Sequence, residues 1–198
     1  GVVTGSGRTF LGCFALFGLF WAHSAVIQIQ EERAESSFAA TQHMRDAWTT
    51  QSEITLSKEG GALLATMESN ASFLDSWSLV PDANNARRLA WAALLRGDED
   101  GYESELRRAI EREPKRSDSR KDLSQFLLYQ KNDPASAEEV LSEGLEEAEE
   151  NSELIYMLGV LRAMANDPEA AVTLFERALE VEPHSLMARE NLAGMLCQ

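Results

Sequence analysis

The chain has 198 residues and carries 33 acidic against 18 basic side chains, which gives a formal net charge of −15 at pH 7. Nucleic acid and anionic lipid surfaces both attract an excess of Lys and Arg, so this charge excludes them as principal partners. The two cysteines, Cys13 and Cys197, stand at opposite ends of the chain. Because Cys13 lies in an apolar run, we expect no disulfide framework.

The first predicted element is an apolar helix. The stretch Phe10–Ile27 contains no charged residue, and a helix of that length extends about 27 Å, close to the roughly 30 Å of a bilayer core. We therefore expect residues 1–29 to hold a single transmembrane anchor, with a cleaved signal peptide or a buried soluble helix as alternatives. The acidic EERAE that follows favours an exterior, periplasmic side for the rest of the chain, so the predicted localisation is the inner (plasma) membrane.

This predicted membrane helix has two faces that could pack against another membrane protein. One is an aromatic ridge of Phe10, Phe14, Phe17 and Trp21, and the other is a strip of small residues, Gly18, Ala22 and Ala25. The alternative is that Gly and Ala are simply common in membrane helices. His23 is either an interfacial histidine or a ligand to a pigment or haem.

A helical arm is predicted over residues 30–82. The sequence KEGG at Lys58–Gly61 should end its first helix, because glycine terminates helices readily. One face of the second helix should then hold Leu63, Met67, Leu74 and Trp77. His43 and Asp46 share a turn, but two residues do not make a metal site.

The strongest signal is an internal repeat. The stretch Asn166–Pro183 reads NDPEAAVTLFERALEVEP, and NDPASAEEVLSEGLEEAE stands 34 residues earlier at Asn132–Glu149. Small, apolar and helix-ending residues recur at set positions of the unit Ser152–Ser185, namely Leu158, Gly159, Ala171, Phe175, Ala178 and Pro183. This pattern resembles the tetratricopeptide repeat, a 34-residue helix–turn–helix unit. Arg162 and Ile155 depart from it, because they stand where aromatic residues are usual.

The resemblance covers residues 83–198 and implies an all-α fold. It predicts a right-handed solenoid of about three helical hairpins, 83–116, 118–151 and 152–185, with a partial fourth unit or capping helix at 186–198. Asp167 should cap the second helix of its pair, and Pro168 suits the first turn. Gly144 stands where alanine is usual, and Tyr102 stands where a small residue is expected, which predicts a splayed first pair.

The resemblance also implies a concave groove lined by the first helix of each pair. The ligand-facing positions of the family fall on Arg87, Trp91, Leu94, Leu95, Asp122, Phe126, Tyr129, Gln130, Tyr156, Val160 and Met164. Such a groove is apolar and partly aromatic, unlike a Lys/Arg clamp for acidic tails, and suits a helix or an extended hydrophobic segment. The alternative is that the Leu63–Trp77 helix or the arm before it fills the groove. The acidic run Glu138–Glu150 is a solvated helix face or a surface for a basic partner.

The sequence shows no nucleophile motif, phosphate loop or metal-ligand cluster, so we expect no enzymatic activity, no cofactor and no small-molecule substrate. The favoured hypothesis is a membrane-anchored tetratricopeptide scaffold, an accessory subunit that binds other membrane subunits through its membrane helix and its repeats. One alternative is an assembly factor or chaperone for client peptides, as in cytochrome maturation, secretion or pilus biogenesis. Another is a pigment- or haem-binding membrane subunit that uses His23.

Overall fold

The computed structural model describes residues 6–44, 58–78 and 82–196, with side chains from Leu19 onwards. Over these ranges the regular secondary structure is α-helical, which confirms the all-α prediction. The helices are α1 (Ser6–Ala40), α2 (Lys58–Trp77), α3 (Ala83–Leu95), α4 (Glu99–Arg112), α5 (Ser117–Tyr129), α6 (Pro134–Glu147), α7 (Ser152–Met164), α8 (Pro168–Val181) and α9 (Leu186–Leu196). They group into two compact units, Gly1–Tyr102 and Glu103–Gln198, and the boundary falls within α4.

In the first unit, α2 packs on α1 and also on α3. Its core contains Met44, Leu64, Met67, Ala92 and Leu95, with Phe38 and Leu63 packed against it. The predicted break at Lys58–Gly61 is instead the beginning of α2, whose first turn contains both glycines. The buried face of α2 consists of Leu64, Met67, Ala71 and Leu74, whereas Trp77 is 60% exposed.

The prediction of a transmembrane anchor is wrong. Within the described residues, none of the helices combines the length and the apolar character needed to cross a bilayer. The apolar stretch belongs to the single 35-residue helix α1, which continues through Glu31, Glu32 and Arg33 and then buries Ala34. In this later part of α1, Phe38 packs against the core cluster to which α2 contributes Leu64 and Met67. The predicted single-pass localisation, which depended on that anchor, is wrong with it.

In the second unit, each helix from α5 to α9 packs on the next, as in a helical solenoid. Small residues allow the helices of a pair to approach closely. A Cβ atom added to Gly159 of α7 would lie 2.7 Å from Cε1 of Phe175 in α8, so no larger residue fits there without displacement. The small residues Ala137, Ala171 and Ala178 are also fully buried.

The turn within each pair is built in the same way. A residue in the left-handed region ends the first helix, and these residues are Gly97 (φ 82°), Asn132 (φ 52°) and Asn166 (φ 59°). An aspartate then accepts a backbone N–H of the second helix, and the donors to Asp98, Asp133 and Asp167 are Gly101, Ser136 and Ala170. Pro134 and Pro168 follow in the first turn. The repeated NDP is therefore a helix stop, a cap and a helix start, and the prediction that Asp167 caps α8 is confirmed.

The turn between α5 and α6 contains one residue more than the others. It comprises residues 130–133, whereas residues 165–167 join α7 to α8. The backbone N–H of Asp133 accordingly donates to the carbonyl of Leu127, while that of Asp167 donates to Arg162, one position closer in sequence. Counted back from the NDP motif, α5 therefore begins one residue earlier than α7 does. The first position of its repeat unit is Ser117 rather than Asp118.

Candidate protein-binding groove

A cleft of about 780 Å³ lies in the second unit, on the first helices of the pairs. Helix α5 lines it with residues that are four positions apart and so share one face: Ser117, Lys121, Gln125 and Tyr129. Helix α7 contributes Glu153, Tyr156, Met157 and Val160. The opposite wall is formed by Glu182 and His184, in the loop after α8, and by Leu186 and Met187, at the start of α9.

Part of the cleft is polar and acidic. Glu153 accepts a hydrogen bond from the hydroxyl of Ser117 at 2.7 Å and pairs with the ammonium of Lys121 at 2.6 Å. The hydroxyl of Ser152 donates to Glu182 at 2.7 Å. With Glu150, three carboxylates line the cleft against the single ammonium of Lys121, so carboxylates outnumber the Lys and Arg side chains there.

The rest of the cleft is apolar and aromatic. Tyr129 is 51% exposed, and Leu186 and Met187 at the start of α9 are 63% and 64% exposed. Between them, the ring of Tyr156 lies 5.8 Å from the ring of Phe175, and its hydroxyl accepts a hydrogen bond from Asn191 at 3.1 Å. Burial raises the pKa of Tyr156 above its ordinary value, although the Asn191 hydrogen bond acts in the opposite direction. The Tyr156 hydroxyl is therefore neutral and held by Asn191, and the ring forms the base of the cleft between α5 and α9.

The structure brings only some of the predicted groove residues into this cleft. Tyr129, Tyr156 and Val160 line it, whereas Asp122 is buried and Phe126 is completely buried in the core. The cause is the extra turn residue before NDP, which rotates α5 by one position and places Lys121 and Gln125 where Asp122 and Phe126 were expected. Gln130 and Met164 are exposed at the ends of α5 and α7 and are not among the residues that line the cleft.

The predicted groove residues of the first unit are largely covered. Trp91, Leu94 and Leu95 are buried, and Arg87 is half-buried. Leu95 belongs to the core cluster that α2 supplies with Leu64 and Met67. The ring of Trp91 contacts Tyr102 edge-on at 5.5 Å, so the large residue predicted to splay the first pair is itself buried against an aromatic neighbour.

Some lining residues were missed although the repeat offers a signal for them. Glu153 and Met187 occupy the second position of the third and fourth units, and that position faces ligands in the family the sequence resembles. Lys121 and Gln125 required the correct register of α5. Glu182 and His184 lie in the loop between α8 and α9, where the repeat pattern does not predict which side chains face the cleft.

The predicted packing faces of the N-terminal helix are only partly described. Trp21, Ala22 and Ala25 are exposed, while the side chains of Phe10, Phe14, Phe17 and Gly18 lie outside the described part of the structure. His23 donates from Nε2 to the backbone carbonyl of Trp77 at 3.0 Å. Asp46, Cys197 and the side chain of Cys13 also lie outside it. Within the described residues there is no cluster of three or more metal-binding side chains.

Comparison with known proteins identifies the class of fold. Residues 128–196 match the sequence model of a family described as Tetratricopeptide repeat. No curated protein matches the chain in sequence. The tetratricopeptide-like helical solenoid is therefore supported by this match and by solved structures, and tetratricopeptide proteins are generally non-catalytic interaction modules.

Three solved structures illustrate the likeness. The C-terminal part of a TPR repeat-containing protein from Cytophaga hutchinsonii superposes with a TM-score of 0.59 at 12% identity, covering 85% of this chain and 69% of that chain. PilF from Pseudomonas aeruginosa gives a TM-score of 0.56 at 16% identity, with the same two coverages of 85% and 69%. MamA from Desulfovibrio magneticus gives 0.52 at 14% identity, covering 83% of this chain and 84% of that chain. At these identities the likeness shows the fold alone.

Proposed function

We propose that the chain is a non-catalytic interaction scaffold whose cleft on α5, α7 and α9 binds a segment of a partner protein. The observation that carries this proposal is the exposure of Tyr129, Leu186 and Met187 in one concave site, each more than half accessible. Exposed apolar side chains that line a concavity mark binding sites more often than scattered surface residues do. Tyrosine and methionine are also among the residues enriched in protein interfaces.

The cleft is held in shape before a partner arrives. The Lys121–Glu153 pair joins α5 to α7, and the Asn191–Tyr156 hydrogen bond joins α9 to α7. Lys121, Glu153 and Tyr156 therefore already have partners and lose little conformational freedom when a segment binds. The gain comes from removing water from the exposed faces of Tyr129, Leu186 and Met187.

A scaffold of this kind could be a stable accessory subunit or an assembly factor that exchanges clients. The two are distinguished by the ratio of partner to chain after purification. A fixed equimolar partner indicates a subunit, whereas a varied and substoichiometric set indicates an assembly factor.

Site-specific photo-crosslinking in the native host tests the cleft directly. A photoreactive phenylalanine analogue replaces Tyr129 in the cleft of the full chain, and a matched variant carries it at Thr173, an exposed residue of α8 outside the cleft. We expect a discrete adduct with another protein from position 129 and not from position 173. Equal adducts from both positions, or none from position 129, would overturn the proposal.

A further inference from the structure

We infer that the segment bound in the cleft is cationic and apolar, a stretch in which Lys or Arg stands beside aliphatic or aromatic side chains. This inference rests on the proposed function and adds to it the chemistry of the partner. Two observations point to this occupant: the excess of carboxylates among the residues that line the cleft, and the hydrogen bonds and ion pair that these carboxylates already make.

The acidic side of the cleft can accept further donors. Both oxygens of Glu153 are engaged, one by the ammonium of Lys121 and the other by the hydroxyl of Ser117. A carboxylate oxygen has two lone pairs, so each can still accept another hydrogen bond. Glu182 accepts from Ser152 through Oε2, and Glu150 also lines the cleft. An ammonium or guanidinium group of a partner could therefore join this existing network.

The cleft offers no comparable binding site for an acidic segment. Lys121 is the one lysine or arginine among the residues that line the cleft, and its ammonium lies 2.6 Å from Glu153. A partner carboxylate would have to compete with that pair while facing three glutamates at close range. Like charges brought together in a partly desolvated site disfavour binding.

The apolar side of the cleft suits the rest of such a segment. Lys and Arg side chains pack their aliphatic stems on apolar surface and place their cations over aromatic rings. Tyr129 and Tyr156 offer those rings in the same cleft, and Leu186 and Met187 offer aliphatic surface there. The chain's net charge of −15 would also accelerate the approach of a basic partner. The same net charge opposes occupation by a second copy of this chain.

Peptide display on the full-length chain provides the test. A random peptide library is selected on the native chain and counter-selected on the Tyr129→Ala variant, whose folding is checked by circular dichroism. We expect the selected peptides to be enriched in Lys and Arg beside apolar residues. Enrichment in apolar residues alone, or in Asp and Glu, would overturn the inference while leaving the cleft as a peptide site. No enrichment over the variant would overturn the proposed function as well.

The enriched peptide then allows a quantitative test by fluorescence anisotropy. The double variant Glu150→Gln, Glu182→Gln should weaken binding by roughly three- to tenfold at low salt, because rim charges contribute modestly and are screened. The matched control, Glu176→Gln with Glu180→Gln, removes the same charge from exposed positions of α8 and should change binding less than twofold. Equal weakening by both double variants would show that only the overall charge acts, and would overturn recognition by the cleft carboxylates.

Discussion

A Cβ atom on Gly144 would lie 2.6 Å from Cδ of Arg120, closer than atoms of two side chains approach in folded proteins. Arg120 is 4% exposed and occupies the position of α5 that the buried Ile155 occupies in α7. Its guanidinium group donates to the carbonyls of Val140 at 3.0 Å and Pro114 at 3.3 Å. The arginine and the glycine are both departures from the repeat pattern, and each explains the other because the glycine makes room for the arginine stem.

Gly144→Ala should therefore destabilise the chain, although glycine to alanine in a helix normally stabilises by about 1 kcal/mol. Overpacking a well-filled site costs about 1–3 kcal/mol, so we expect a net loss of roughly 1 kcal/mol in the free energy of unfolding. Urea denaturation followed by circular dichroism measures it. Gly194→Ala is the matched control, since no atom lies within 4 Å of its added Cβ, and it should be stabilising.

Removing the arginine stem should relieve part of that loss, while the added Cβ would still lie 2.7 Å from Cδ1 of Leu154. The double variant Arg120→Leu, Gly144→Ala restores the apolar and small residues usual at these two positions of the repeat. Its unfolding free energy should exceed the sum expected from the two single variants, because residues in contact are not additive. Additive effects, or a stabilising Gly144→Ala, would show that the two residues do not constrain each other.

Phe126 and Tyr129 should give opposite results when changed to alanine. Phe126 is fully buried, so its truncation should cost about 3–5 kcal/mol of stability. Tyr129 is 51% exposed in the cleft, so its truncation should change stability by about 0.5 kcal/mol or less and should abolish the peptide binding proposed above. Chemical denaturation and anisotropy on the same two variants distinguish core from groove. A Phe126→Ala variant of native stability would contradict the register of α5.

The second helices of the pairs could be predicted from the sequence because the NDP turn begins each of α6 and α8. Counting from NDP places Ala137 and Ala171 at equivalent buried positions. The same count fails for α5, because the turn that follows α5 contains one additional residue. This residue precedes the NDP motif, so it changes the register of α5 while the spacing of 34 between the two motifs stays the same. The helix bounds and the backbone hydrogen bond from Asp133 to Leu127 reveal that residue.

The N-terminal helix was mispredicted for a different physical reason. Hydropathy describes a stretch of residues, but the role of the stretch depends on what the neighbouring residues of the same helix contact. Here Ala34 and Ser37, only a few residues further along α1, are buried, and the neighbouring Phe38 packs against the cluster to which α2 contributes Leu64 and Met67. The polar contacts of the cleft were equally invisible, since Lys121 and Glu153 are distant in sequence and meet only when α5 and α7 pack.

Ala171→Trp should unfold the third helical pair. Ala171 is fully buried in α8, and a close-packed interior has no space for an indole unless the helices separate. Loss of the cooperative melting transition, or a fall of many degrees in Tm, is the expected result by circular dichroism. Thr173→Trp places the same indole on the exposed side of α8 and should leave the transition near its original temperature. An unchanged melting curve for Ala171→Trp would mean that Ala171 does not lie between helices.

The cap at Asp133 should make stability depend on pH in acid. The hydroxyl of Ser136 at 2.7 Å and then its backbone N–H at 3.1 Å lower the pKa of the Asp133 carboxyl below its usual 3.8. A carboxyl whose pKa is lower in the folded state contributes stability that is complete above the unfolded pKa and is lost as pH falls through the folded value.

Asp133→Asn keeps an N-cap acceptor without the charge, so the difference in Tm between native chain and variant should shrink as pH falls from about 5 toward 2. Ser136→Ala removes the largest cause of the lowered pKa and should weaken that dependence. A difference in Tm that stays constant over this range would show that the Asp133 charge does not stabilise the turn.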